Sequence, residues 1–154
     1  MTSNRWFILA ALFLARSALG YQYQSVASVS PLLVEDMGIN FAEVGALIGF
    51  YSLLGIASAL PAGMLGLRFG DTRIALIGAA MMAAGGFVRG LGNSYEIASL
   101  GRILSGSGGV LITVLMTKIV ADWFSGREIV TALAILMNSW PVGIALGLVS
   151  QGAI

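Results

Sequence analysis

Five apolar stretches follow one another along this chain, at about 6–30, 44–65, 74–91, 97–120 and 130–150. A helix needs about 20 mainly apolar residues to cross a bilayer, and each stretch is close to that length. Lipid offers no hydrogen bonds to a bare backbone, so a crossing segment has to satisfy its own N–H and C=O groups, which a helix does. The expected fold is therefore all-α, a polytopic membrane helix bundle. Charge agrees with this. Only 10% of the residues are charged and 58% are hydrophobic, against about 25% charged in an average soluble domain. A soluble fold of this size could not cover itself with so little polar surface. The 21 glycines would weaken a soluble bundle, but in lipid small residues let helices approach closely, and packing replaces the hydrophobic effect as the adhesive force.

The same composition removes whole classes of function. There is no cysteine and no histidine, so disulfides, thiol catalysis, Cys/His zinc sites and histidine general bases are excluded. A net charge of +1 with no basic arm leaves nucleic acid without an electrostatic footprint. The few acids stand at the ends of the apolar stretches and form no catalytic cluster, so no enzyme, metal or cofactor is expected. The first twenty residues have the outline of a signal peptide, with Arg5 ahead of an apolar core and small residues from Ser17 to Gly20. Arg16 interrupts that outline, and apolar character resumes through Val34, as a span requires.

Short polar connectors separate the stretches: Glu35 to Asn40, a glycine–arginine turn after Leu65, Gly92 to Glu96, and Ala121 to Glu128. Asn40 with Glu43 three residues on fits a helix N-cap with a carboxylate in the first turn. If the N-terminus is inside, the inner flanks hold Arg5, Arg68, Arg73, Lys118 and Arg127. The outer connectors then hold Arg89 beside Glu35, Asp36, Glu43 and Glu96. The positive-inside rule places the N-terminus in the cytoplasm and the chain in the inner (plasma) membrane, with the lipid bilayer as its first partner.

The turn after the second stretch carries the pattern Gly63-x-Leu65-Gly66-x-Arg68-x-Gly70-Asp71, with Arg73 just beyond. It resembles the signature between the second and third helices of major facilitator superfamily transporters, where it serves as a gating loop. The resemblance departs at one place. Leu67 stands where the family usually has an aspartate, and Asp71 stands where a basic residue is common. A second pattern, Arg102-x-x-x-Gly106-x-Gly108-Gly109, resembles the family's fourth-helix arginine, which implies a part in coupling transport to protons. The alternative is that Arg102, about five residues or about 8 Å into its span, snorkels to the outer interface. The loop Asp122-Trp123-Phe124-Ser125-Gly126-Arg127-Glu128 resembles the family's connection into helix five, and its aromatic pair also suits an interfacial belt. In the fifth stretch Pro141 removes a backbone hydrogen bond and is expected to kink the helix, with Gly143 and Gly147 as packing positions. Trp140 precedes it, and the paired glycines of the drug/proton antiporters are missing. That stretch is closer to the cyanate- and nitrate-type uptake branches.

The resemblance covers five of the six helices of an N-terminal half, in a family whose members have twelve helices in two halves. It implies a fragment, inactive alone, that works with missing C-terminal helices or a partner chain. The cargo is read from the first stretch. Arg16 lies about 15 Å from Trp6 at helical rise, too deep for easy snorkelling. Arg16, Gly20, Tyr23 and Ala27 share one helical stripe, with Gln24 beside it. A polar stripe at membrane depth faces a bundle interior or a wet cavity. No acid in this chain lies at that depth to pair with Arg16. Arg16, Tyr23 and Gln24 are therefore the candidates for lining the substrate path, and the guanidinium fork suits a small anion. The expected activity is secondary transport (symport) of a small, anionic solute with protons. Two alternatives stand beside it: a non-transporting small membrane protein that packs with partner helices, and a fragment of a drug/proton exporter.

Overall fold

The computed structural model describes residues 3–92 and 94–151; Asn93, in the third expected connector, lies outside them. Among the described residues every regular element is an α-helix: α1 (Ser3–Ser28), α2 (Ser30–Met37), α3 (Phe41–Phe69), α4 (Asp71–Leu91), α5 (Tyr95–Trp123) and α6 (Arg127–Gln151). Helices α3, α4, α5 and α6 are each long and apolar enough to cross a membrane. Helix α1 is not among these four, because Arg16, Ser17 and the run from Tyr21 to Ser25 dilute its apolar character.

The stretches expected at 44–65, 74–91, 97–120 and 130–150 each fall inside one of α3 to α6. The stretch expected at 6–30 does not end as expected. Helix α1 stops at Ser28, and α2 begins at Ser30 with Pro31 in its first turn. Proline has no N–H to give to the turn before it, and its ring crowds the preceding residue, so one continuous helix is interrupted and another starts. The connector expected at Glu35–Asn40 shrinks to Gly38–Asn40. Helix α2 closes on Gly38 in the left-handed region at φ 64°.

Helix α3 starts with a complete capping box. The Glu43 amide donates to Asn40 Oδ1 at 3.0 Å, and the Asn40 amide donates to Glu43 Oε2 at 2.8 Å. This satisfies two of the N–H groups that every helix start leaves open. The glycine–arginine turn contracts to a single residue. Helix α3 runs to Phe69, Gly70 takes φ 92° and ψ 131°, and α4 begins at Asp71. The Gly70 amide donates back to the Gly66 carbonyl at 2.9 Å. Between α5 and α6 only Phe124, Ser125 and Gly126 remain outside helix.

The chain forms two compact units. One joins α1 to the chain from Met116 onward, and the other spans Val29–Leu115. In the second unit Ala62, Ile74, Leu111 and Leu115 form a buried cluster that ties α3, α4 and α5 together. Helices α4 and α5 touch through glycine. A methyl at Gly78 would press on the Gly108 carbonyl, and one at Gly101 on the Gly85 carbonyl. In the first unit α1 and α6 lie side by side and parallel. Contacts run in register from Arg5 with Glu128, through Arg16 with Met137, to Gln24 with Gly147 and Tyr21 with Ser150.

Candidate substrate-path site

The stripe expected on the first helix is the face that α1 turns toward α6. Gly20 and Gly143 make this possible: a side chain at Gly20 would collide with the Trp140 carbonyl, and one at Gly143 with the Ser17 backbone. That close approach carries the longer side chains of both helices into one seam. The Tyr23 ring packs on Trp140 with centroids 5.5 Å apart, and the Gln24 stem packs against Gly147.

Arg16 is 8% exposed. Its Nη2 donates to the Met137 thioether at 3.4 Å. Its Nε and Nη1 are buried and have no hydrogen-bond partner. The Ser17 hydroxyl beside it is buried in the same condition. Burying a guanidinium costs free energy unless it is paired, and a thioether is a weak acceptor. The carboxylate ion pair between α1 and α6, Arg5 with Glu128, stands at the start of the two helices and away from Arg16. The arrangement presents strong, directional donors in an otherwise apolar seam, which is what capture of an oxyanion needs.

The seam is clamped at its first end. Arg5 holds Glu128 with both terminal nitrogens, at 2.9 and 3.2 Å. Its guanidinium lies 5.7 Å from the centre of the Phe124 ring, which meets Trp6 edge-on at 5.2 Å. Trp123 is exposed, as an interfacial belt residue would be, but Phe124 is buried. Only half of that aromatic pair reaches the surface. Pro141 lies within α6, which remains helical on both sides of it. Proline has no N–H, so the Met137 carbonyl one turn earlier lacks its usual helical donor.

The remaining sequence candidates lie in the unit Val29–Leu115. Arg102 is 1% exposed, its guanidinium 5.2 Å from the centre of the Tyr51 ring. It is turned inward onto α3. Gly106 belongs to the same contact, since a side chain there would strike the Tyr51 backbone. In the gating-loop motif Gly66 packs directly on the Asp71 carboxylate and on Leu115. Asp71 sits in the first turn of α4, where the helix dipole favours an acid. Arg68 covers the Phe69 ring at 5.4 Å. Gly63 has open space around it, and Leu65 and Arg73 are exposed.

Three contacts were not foreseeable from spacing. Met137 over Arg16 and Glu128 on Arg5 join residues more than 120 positions apart, and no local period encodes which helix a stripe will meet. Tyr51 under Arg102 had one available signal, a phenol in an otherwise apolar run.

Four helices long and apolar enough to cross a membrane, packed through glycine, define a polytopic α-helical membrane protein. The chain matches the Major Facilitator Superfamily over residues 8–154 and belongs to that family. It is similar to the human choline/ethanolamine transporter FLVCR2, with 24% identity over 96% of this chain and 28% of that protein. It is also similar to the Danio rerio lysosomal dipeptide transporter MFSD1, with 26% identity over 79% of this chain and 28% of that protein. Its identity to the multidrug efflux pump LfrA of Mycolicibacterium smegmatis is 28%, over 99% of this chain and 30% of the pump. The chain thus spans less than a third of the length of these relatives.

Proposed function

We propose that this chain supplies one wall of a secondary transporter that moves a small anion together with protons by alternating access, and that it needs further helices to do so. The observation that carries the cargo is Arg16, a buried guanidinium with two nitrogens unpartnered and a thioether on the third. Tyr23 and Gln24 extend its seam, Arg102 on Tyr51 serves coupling, and the turn at Gly70 serves gating. The named relatives lend no support to a cyanate- or nitrate-type branch. One of them is a dipeptide transporter, and a dipeptide carries the carboxylate that Arg16 would hold.

Orientation and span number belong to the same proposal. Helices α1 and α6 are parallel neighbours. With α3, α4 and α5 crossing between them in sequence, α6 runs in the direction of α1 only if α1 crosses as well. That makes five spans. The basic residues at the starts of α1 and α6 support an N-terminus in the cytoplasm, with the protein in the plasma membrane, by the positive-inside rule.

The test is uptake into vesicles by the transporter that contains this chain, with acetate, lactate, benzoate and nitrate as probes. Arg16→Ala and Arg16→Lys are both expected to abolish uptake of the accepted anion, because lysine lacks the planar fork. Undiminished uptake in the alanine variant would refute the anion reading. Arg102→Ala is expected to leave the anion bound but to remove the response to a pH gradient.

A second reading has its own observation. The Tyr23 and Trp140 rings, tilted at 47° to each other, offer aromatic faces that attract quaternary ammonium groups, and one relative is a choline/ethanolamine transporter. Including choline in the same uptake screen separates the readings, since a cation gains nothing from Arg16. For the reading as a small non-transporting protein, the coding DNA beyond residue 154 decides. An in-frame continuation would remove it.

A further inference from the structure

The thioether on Arg16 is an unusual partner for so strong a donor. Met137 touches Nη2 at 3.4 Å, while Nε and Nη1 have nothing to donate to. The two residues differ in depth. Arg16 is 8% exposed, whereas Met137 is 44% exposed. The methionine is thus the part of this contact that reaches the open side of α6. Its side chain is unbranched with three rotatable bonds, and its sulfur is a weak acceptor. Its backbone carbonyl, one turn before Pro141, receives no helical N–H. Nearby, the Ser139 hydroxyl is committed to the Leu136 carbonyl and Asn138 Nδ2 to the Ala134 carbonyl, so neither competes for Arg16.

We propose that Met137 is a displaceable cover on the Arg16 guanidinium. It holds the place on Nη2 that one oxygen of a carboxylate takes, and it swings toward the exposed side of α6 when the anion arrives. The proposal rests on the reading of Arg16 as the anion site. The physical reason is the difference between the two acceptors. A carboxylate makes charge-assisted, two-point hydrogen bonds with a guanidinium, and a thioether makes one weak contact. The cover therefore yields to an oxyanion and stays closed to neutral or cationic solutes. It also shields the buried charge from the apolar seam while the site is empty, and so limits the cost of an exposed guanidinium in lipid. Met137 is in this sense a specificity-determining residue of the path.

The test uses the transporter that contains this chain, with other cysteines removed. The chain itself has none, so Met137→Cys gives a single thiol on the cover. The probe is whichever of acetate, lactate, benzoate and nitrate shows uptake that Arg16→Ala abolishes. Saturating probe is expected to speed labelling of the cysteine by a charged methanethiosulfonate several-fold. Arg16→Gln in the same background is expected to remove the acceleration. Met137→Glu, which places a fixed carboxylate on Arg16, is expected to lose uptake, whereas Met137→Leu keeps it with weaker preference for anions over neutral analogues. If no probe shows Arg16-dependent uptake, the anion reading falls and the cover with it. If Arg16-dependent uptake is found but labelling is unchanged or slowed by the probe, the cover is wrong and the anion reading stands.

Discussion

A methyl group added at Gly143 would run into the Ser17 carbonyl, and one at Gly20 into the Trp140 carbonyl. Backbone cannot yield as a side-chain end can, so either change has to push α1 and α6 apart. Overpacking of this kind costs about 1–3 kcal/mol. Gly143→Ala is expected to lower the thermal midpoint in detergent accordingly. Gly49→Ala is the control, since a side chain there meets nothing within 4 Å; it is expected to change stability by no more than about 0.5–1 kcal/mol, in the stabilising direction that alanine's helix propensity sets. Equal losses at both positions would show that α1 and α6 do not pack at this spacing. What could be read at this scale was the face. Spacings of four and three put Arg16, Gly20 and Tyr23 on one stripe, and that stripe is the one α1 presents to α6. What could not be read was its partner. Met137 and Trp140 meet the stripe because two helices far apart in sequence become neighbours, and that is decided by the packing of the whole unit. The same holds for Phe124. Its spacing suits an interfacial belt, but Arg5 and Trp6 of α1 close over it.

Helix ends were legible where the signal is local and carried by the backbone. Asn40 with Glu43 announces the start of α3, and both reciprocal hydrogen bonds are made. Pro31 breaks the helix at Val29 although the apolar run continues to Val34. Apolarity measures lipid compatibility, and proline acts on the hydrogen-bond ladder, so the two signals diverge there. The turn at Gly70 is the sharpest element boundary. It joins two long helices through one residue at φ 92° and ψ 131°, a region that a residue with a Cβ rarely adopts. The cost is conformational and not one of space, since nothing lies within 4 Å of a side chain there. Gly70→Ala is expected to destabilise the α3–α4 hairpin by about 1–3 kcal/mol, read as a lower thermal midpoint. Gly63→Ala, in helix with open space around it, is expected to be tolerated. Loss of stability at both sites alike would mean that the motif's glycines matter for something other than the turn. Asp71 belongs to this element too. Leu67 stands where the family usually has an acid, and the carboxylate at this turn is that of Asp71, in the first turn of α4 against Gly66.

Across the whole molecule the family was legible from three motifs in order, and the match over residues 8–154 agrees. The membrane topology depends on α1, which is less apolar than the other long helices because it carries Arg16 and the polar run from Tyr21 to Ser25. The polarity on which the proposed solute path rests is also what weakens the hydropathy of α1 as a span, and hydropathy alone would assign four crossings. The proposed count of five rests on the parallel seam with α6. If α6 crosses, a helix that stays beside it from Arg5–Glu128 to Tyr21–Ser150 shares its depth, and with three intervening crossings α1 crosses as well. Because the chain holds no cysteine, single thiols can report sidedness in intact cells. Asp36→Cys, on the exposed end of α2, is expected to react with a membrane-impermeant maleimide from outside. Asn4→Cys and Ser125→Cys are expected to react only after the cells are opened. Labelling of residues 4 and 36 from the same side would mean that α1 does not cross, which would remove Arg16 from membrane depth. The reverse pattern, with residues 4 and 125 labelled from outside, would keep five spans but overturn the orientation read from the basic residues.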